Sequence, residues 1–123
     1  MKKLLAGLIL LFPLSAMSAS SYLDVIEFQF NGECSMSKYM DIVSDFNKWG
    51  DKNGYHAEIA VPLQSNNLKH TFWLGTAKNA AAYGKAWDTW RDAQSDPDST
   101  PAKLWARLSA CGENLSRQGY DIY

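Results

Sequence analysis

The chain has 123 residues and is close to charge balance, with 12 Lys and Arg against 13 Asp and Glu and a net charge of −1. That length suits one domain. The balance leaves no basic patch to hold nucleic-acid phosphates, so no nucleic acid is expected as a partner.

Residues 1–19 read as a signal peptide. Lys2 and Lys3 precede the apolar run Leu4–Leu14, and Pro13 with the small residues of Ser15–Ala19 suits a signal-peptidase site. The apolar run is too short for a bilayer span, which needs roughly 20 residues. No Cys follows it closely, which argues against a lipoprotein. The cut falls after Ser18 or after Ala19. Cutting after Ala19 leaves residues 20–123 as a single domain, with ten basic residues against 13 acidic ones and a net charge of −3. Its expected place is periplasmic or secreted, with no membrane attachment after cleavage. Cys34 and Cys111 then meet an oxidising compartment, where an intramolecular disulfide is the default. Closing so long a loop is worth about 4 kcal/mol in the chain-entropy view. Free thiols are the next alternative. A metal shared by the two cysteines with His56 and His70 finds no C-x-x-C or H-x-x-x-H spacing to support it, so no metal is expected.

In chain order, Val25–Phe30 alternates as a strand, with Ile26, Phe28 and Phe30 on one face and Glu27 and Gln29 on the other. Asn31-Gly32 breaks it. A helix follows over roughly Ser37–Trp49. Met36, Tyr39, Met40, Val43, Phe46 and Trp49 recur at threes and fours as a core stripe. Ser35 or Ser37 can cap its start, and Gly50 or Gly54 can end it. Tyr55–Val61 and Lys69–Leu74 read as two strands joined by a polar connection holding Pro62 and Gln64–Asn67. A second helix spans roughly Asn79–Ala93, carrying Tyr83, Trp87 and Trp90. Thr100-Pro101 opens a short third helix with Leu104, Trp105 and Leu108, ending at Cys111-Gly112. The tail Gln118–Tyr123 reads as a short last strand.

This order gives an α+β chain of ferredoxin-like βαββαβ type, an antiparallel sheet with helices on one face. The helix-covered face is expected to take Ile26, Phe28, Phe30, Tyr55, Ile59, Val61, Phe72 and Leu74. The open face is expected to carry Glu27, Gln29, His56, Glu58, Thr71 and Trp73. The arrangement resembles the dimeric α+β barrel superfamily, which includes the antibiotic-biosynthesis monooxygenase-like domains. Gly54–Glu58, Phe72–Thr76 and Tyr83–Trp90 are similar to small exported proteins of marine bacteria. The resemblance implies a homodimer, in which two open faces close into a barrel around a cavity. It carries no catalytic residue over.

The candidate ligand site is therefore the open face, with Glu27, His56 and Glu58 as polar groups and Trp73 as a stacking wall for a small apolar or aromatic ligand. His56 and Glu58, two apart on one strand, project to the same side. The plainer account is that they are solvated surface positions. Trp87, Trp90 and Trp105 either pack the helices or line a groove. The Asp96–Asp98 loop lacks the glycine and distal glutamate of a calcium loop. No Gly-rich phosphate loop, G-x-S-x-G elbow or Cys/His nucleophile pair is present, and no cofactor is implied. Three functions remain open. One is non-enzymatic ligand binding or self-association through the open face. Another is a cofactor-independent monooxygenase-like or haem-handling enzyme. The third is an interaction module working through surface tryptophans.

Overall fold

A computed structural model describes residues 18–123. The expected leader, residues 1–19, lies outside them but for its last two positions. The strands are β1 (Ser21–Phe30), β2 (Tyr55–Ala60), β3 (Thr71–Ala77) and β4 (Gly112–Ile122), and the helices are α1 (Met36–Gly50), α2 (Ala80–Ala93) and α3 (Thr100–Cys111). The sheet order is β2-β3-β1-β4, and every neighbouring pair is antiparallel. This is the ferredoxin-like α+β arrangement, an open sheet rather than a closed barrel.

Each helix starts where a short polar side chain can satisfy a free N–H of the first turn. Ser35 Oγ accepts from the Lys38 N–H, Asn79 Oδ1 from Ala82, and Ser99 Oγ from Ala102. Ser99, not Thr100, caps α3, because the helix already includes Thr100 and Pro101 in its first turn. After α1 a single 3₁₀ turn, Asp51–Asn53, leads to Gly54 at φ 74°, a left-handed conformation that suits glycine and turns the chain into β2. Tyr39, Ile42, Val43 and Phe46 form the buried stripe of α1, and Ala86, Leu104 and Leu108 bring α2 and α3 into the same core.

Cys34 and Cys111 form a disulfide that ties the β1–α1 connection to the end of α3. Beside it the Asn31 N–H donates to the Cys111 carbonyl and the Asn31 amide to the Ala110 carbonyl. Among the described residues no helix is long and apolar enough to cross a membrane.

Several expectations need correction. Met40, expected in the core stripe of α1, is exposed, and Ile42 is buried there instead. Val61, expected on the covered face, lies past the end of β2 and is exposed. In β3 the faces are reversed: Thr71 and Trp73 are buried under the helices, and Phe72 and Leu74 face outward. The register explains this. Trp73 sits opposite both Ile26 and Ile59, and directly opposed residues share a face. A strand of such mixed composition takes its phase from its neighbours, and burying Trp73 removes more apolar surface than burying Leu74. The last strand is also longer than the tail expected from Gln118. It runs from Gly112 and pairs along all of β1.

Candidate functional site

Between the helix-covered face of the sheet and helices α2 and α3 lies a cavity of about 520 Å³. Its walls are aromatic: Phe46, Trp49, Trp73 and Trp90 at the β2–β3 side, with Tyr83, Trp87 and Trp105 towards the mouth. Phe46 and Trp73 meet edge to face with centroids 4.7 Å apart, and Trp49 meets Trp90 the same way at 5.2 Å. These contacts hold the rings in a fixed frame. Trp87 and Trp105 are exposed at 38% and 46%, so the mouth presents apolar rings to water.

The floor holds one polar network. Asp24, only 1% exposed, is gripped by Arg117 in a two-point fork: Nε donates to Oδ1 at 2.9 Å and Nη2 to Oδ2 at 2.6 Å. The Tyr55 hydroxyl donates to Asp24 Oδ2 at 2.7 Å and accepts from Trp73 Nε1 at 2.9 Å. Every buried polar atom of this group thus has a partner, as burial requires. Gly75 makes the arrangement possible, since a Cβ there would stand 1.7 Å from the Tyr55 oxygen. The Arg117 guanidinium also lies 4.3 Å from the Trp87 ring centroid and 5.8 Å from that of Tyr83.

The electrostatics follow from this packing. Burial pushes the Tyr55 hydroxyl far above the ordinary phenol range, and the Asp24 charge adds to it, so Tyr55 stays a neutral donor. Tyr83 is raised for the same reasons in the same order. For Arg117 burial works against the charge. The hydrogen bond and charge of Asp24 outweigh it, and the net shift is upward.

A local irregularity puts Arg117 here. The β1–β4 register slips between Glu27 and Phe28, leaving Leu115 as an extra residue in β4. Asn114 stands opposite Phe28 and Arg117 opposite Ile26, so two residues three apart both face the cavity. Regular alternation would send them to opposite sides.

The four residues expected as a ligand site are not brought together. Trp73 lies in the cavity wall, on the opposite face of the sheet from the other three. His56 and Glu58 are exposed on β2, and His56 Nδ1 is 2.7 Å from Asp51 Oδ1. Glu27 lies two strands away, where the cross-sheet row is Ser116, Glu27, Phe72 and Ala60. There its carboxylate meets His70 Nδ1 at 2.6 Å and accepts from Ser116 Oγ at 3.2 Å. The cavity also needs no second copy to form, in contrast to one closed between two open faces. Among the described residues no cluster of His, Cys, Asp or Glu is placed to hold a metal ion. Sequence reasoning missed Asp24 and Arg117. The signal for Asp24 was a carboxylate in phase with Ile26 and Phe28. For Arg117 the bulge left no signal.

No protein-family model matches the chain, and no curated protein matches its sequence. Solved structures share its fold. SnoaB, a cofactor-independent oxygenase from Streptomyces nogalater, aligns with a TM-score of 0.57 at 8% identity, over 85% of this chain and 95% of SnoaB. A conserved protein from Methanosarcina mazei Go1 aligns with a TM-score of 0.57 at 15% identity, over 85% and 95%. A hydroxynitrile lyase from Passiflora edulis aligns with a TM-score of 0.53 at 12% identity, over 85% and 95%. At these identities the likeness is one of fold, and chemistry does not travel with it.

Proposed function

We propose that this chain is an exported binding domain that takes a small planar aromatic ligand into the cavity between its sheet and helices. The observation that carries this reading is the cavity itself, a preformed space with stacking walls and one polar floor. Export agrees with the leader of residues 1–19, with the Cys34–Cys111 disulfide and with the resemblance to small exported proteins. The expected site residues divide accordingly: Trp73 belongs to this pocket as part of its wall, while Glu27, His56 and Glu58 belong to the open face. The test is calorimetric titration of the mature protein with naphthalene-sized aromatics. Saturable one-to-one binding that weakens when Trp105 is replaced by Ala supports the reading. No binding by any such compound up to its solubility limit overturns it.

A second reading concerns the open face. Leu23, Val25, Phe72 and Leu74 form an apolar strip across its two central strands. Such a strip favours self-association of two copies. Light scattering on a sized sample tests it: a dimer that Leu74→Lys splits supports the reading, and a monomer at high concentration removes it.

The alternative is cofactor-independent oxygenation, the activity of SnoaB. Its motivation is the buried carboxylate of Asp24, which stands directly behind the lining residues Tyr55 and Arg117. Oxygen uptake with a hydroquinone-type substrate, lost in Asp24→Asn, is its signature. Haem handling fits these residues less well, because neither histidine lines the cavity.

A further inference from the structure

The chemistry of the ligand is written in how Arg117 spends its donors. Nε and one N–H of Nη2 are committed to Asp24. Nη1 makes no hydrogen bond among the described residues, and the side chain is one-third exposed along the cavity wall. Guanidinium nitrogens only donate. The Tyr55 hydroxyl already donates its one hydrogen bond to Asp24. The cavity wall beside Trp87 therefore offers uncommitted N–H groups and asks for an acceptor. Its charge is already cancelled, because Asp24 lies against the same guanidinium. A ligand carboxylate would have to compete with Asp24 for the guanidinium and would bring a second negative charge against it. A neutral acceptor meets neither cost.

We infer that the cavity selects neutral planar aromatics bearing a carbonyl group, with Arg117 Nη1 donating to the carbonyl oxygen as the specificity-determining contact. Asn114, brought to the same wall by the bulge at Leu115, adds a side-chain amide to the lining. The inference rests on the binding reading above and adds to it the class of ligand. The aromatic walls alone favour any flat ring, so they supply affinity without choice. Selection comes from leaving a donor unpaired when the ligand lacks an oxygen, the side of hydrogen bonding that costs most.

Three probes of one shape separate the possibilities: naphthalene, 1-acetonaphthone and 1-naphthoate, each titrated calorimetrically into the mature protein. The ketone should bind about tenfold or more tighter than naphthalene, the margin of a hydrogen bond to a charged donor. It should also bind tighter than the naphthoate. Its carbonyl stretch should move to lower frequency on binding. Arg117→Met alone strands a buried carboxylate and can fail to fold, so the variant of choice is Asp24→Asn with Arg117→Met. In that double variant the ratio of ketone to naphthalene affinity should fall to about one. Equal binding of naphthalene and ketone, or tightest binding of the naphthoate, overturns the inference and leaves the binding cavity standing. No binding of any probe overturns both.

Discussion

The two faces of this sheet are made by alternate residues of the same four strands, yet they treat polar groups in opposite ways. Under the helices, Asp24, Arg117, Tyr55 and Trp73 form one closed network in which each buried group holds the next. On the open side, Glu27 and His70 form a shallow pair at the edge of an apolar strip, with water close by. The contrast teaches that stability and binding are coupled on one face and separable on the other. A group that orients the proposed ligand through Arg117 is also one the fold cannot spare, whereas the open-face pair can be altered without touching the core.

The sharpest break in that contrast is Asp24→Ala. It leaves the Arg117 charge and the Tyr55 hydroxyl without their partner, and removing one member of a buried pair costs about 3–5 kcal/mol. The melting temperature should fall steeply. Glu27→Gln should move it much less, because the pair is only partly buried and the amide oxygen of Gln can still accept from His70. Equal losses from the two substitutions would mean that the faces do not differ as described. Replacing Cys34 and Cys111 together by Ser should come next, at about 2–5 kcal/mol, since the bridge joins segments 77 residues apart in sequence. Denaturant midpoints of oxidised and substituted protein measure it. Gly75→Ala should cost less, about 1–3 kcal/mol, the range for an added methyl in a filled core. The new Cβ meets the Tyr55 oxygen, so that ring must move. This change should weaken aromatic-ligand binding along with stability.

The fold was legible wherever one periodicity dominated. Tyr39, Val43 and Phe46 of the α1 stripe, the Tyr55–Ala57–Ile59 face and the order of elements follow directly from spacing, although Met40 is exposed and Ile42 takes its place in the core. Legibility ended at two places with physical causes. Lys69–Leu74 has bulky residues on both phases, so the choice of buried face fell to cross-strand partners far away in sequence, Ile26 and Ile59. The second place is β4. Its residues are nearly all exposed along an edge, which erases the apolar alternation that marks a strand. The bulge at Leu115 then breaks the alternation between Asn114 and Arg117, so no single phase read from the sequence points both inward. The site depends on both, and so the proposed ligand pocket moved from the open face to the covered one.

The smallest expected effect tests the open face on its own terms. The Glu27 carboxyl is held below the usual glutamate value of 4.5, chiefly by the hydrogen bond with His70, with Ser116 helping and burial opposing. A folded-state value below the unfolded one means that, in acid, the unfolded chain binds its proton first. The stabilisation is therefore complete above pH 4.5 and disappears as pH falls through the lowered folded value. Urea midpoints of native protein and Glu27→Gln, followed from neutral pH into acid, should show a small gap that closes on this descent. His70→Asn should close the same gap by removing the main cause. Curves for native protein and Glu27→Gln that stay parallel into acid would show that the His70 contact does not bias the carboxyl, and the open face would then be an apolar strip with no polar anchor.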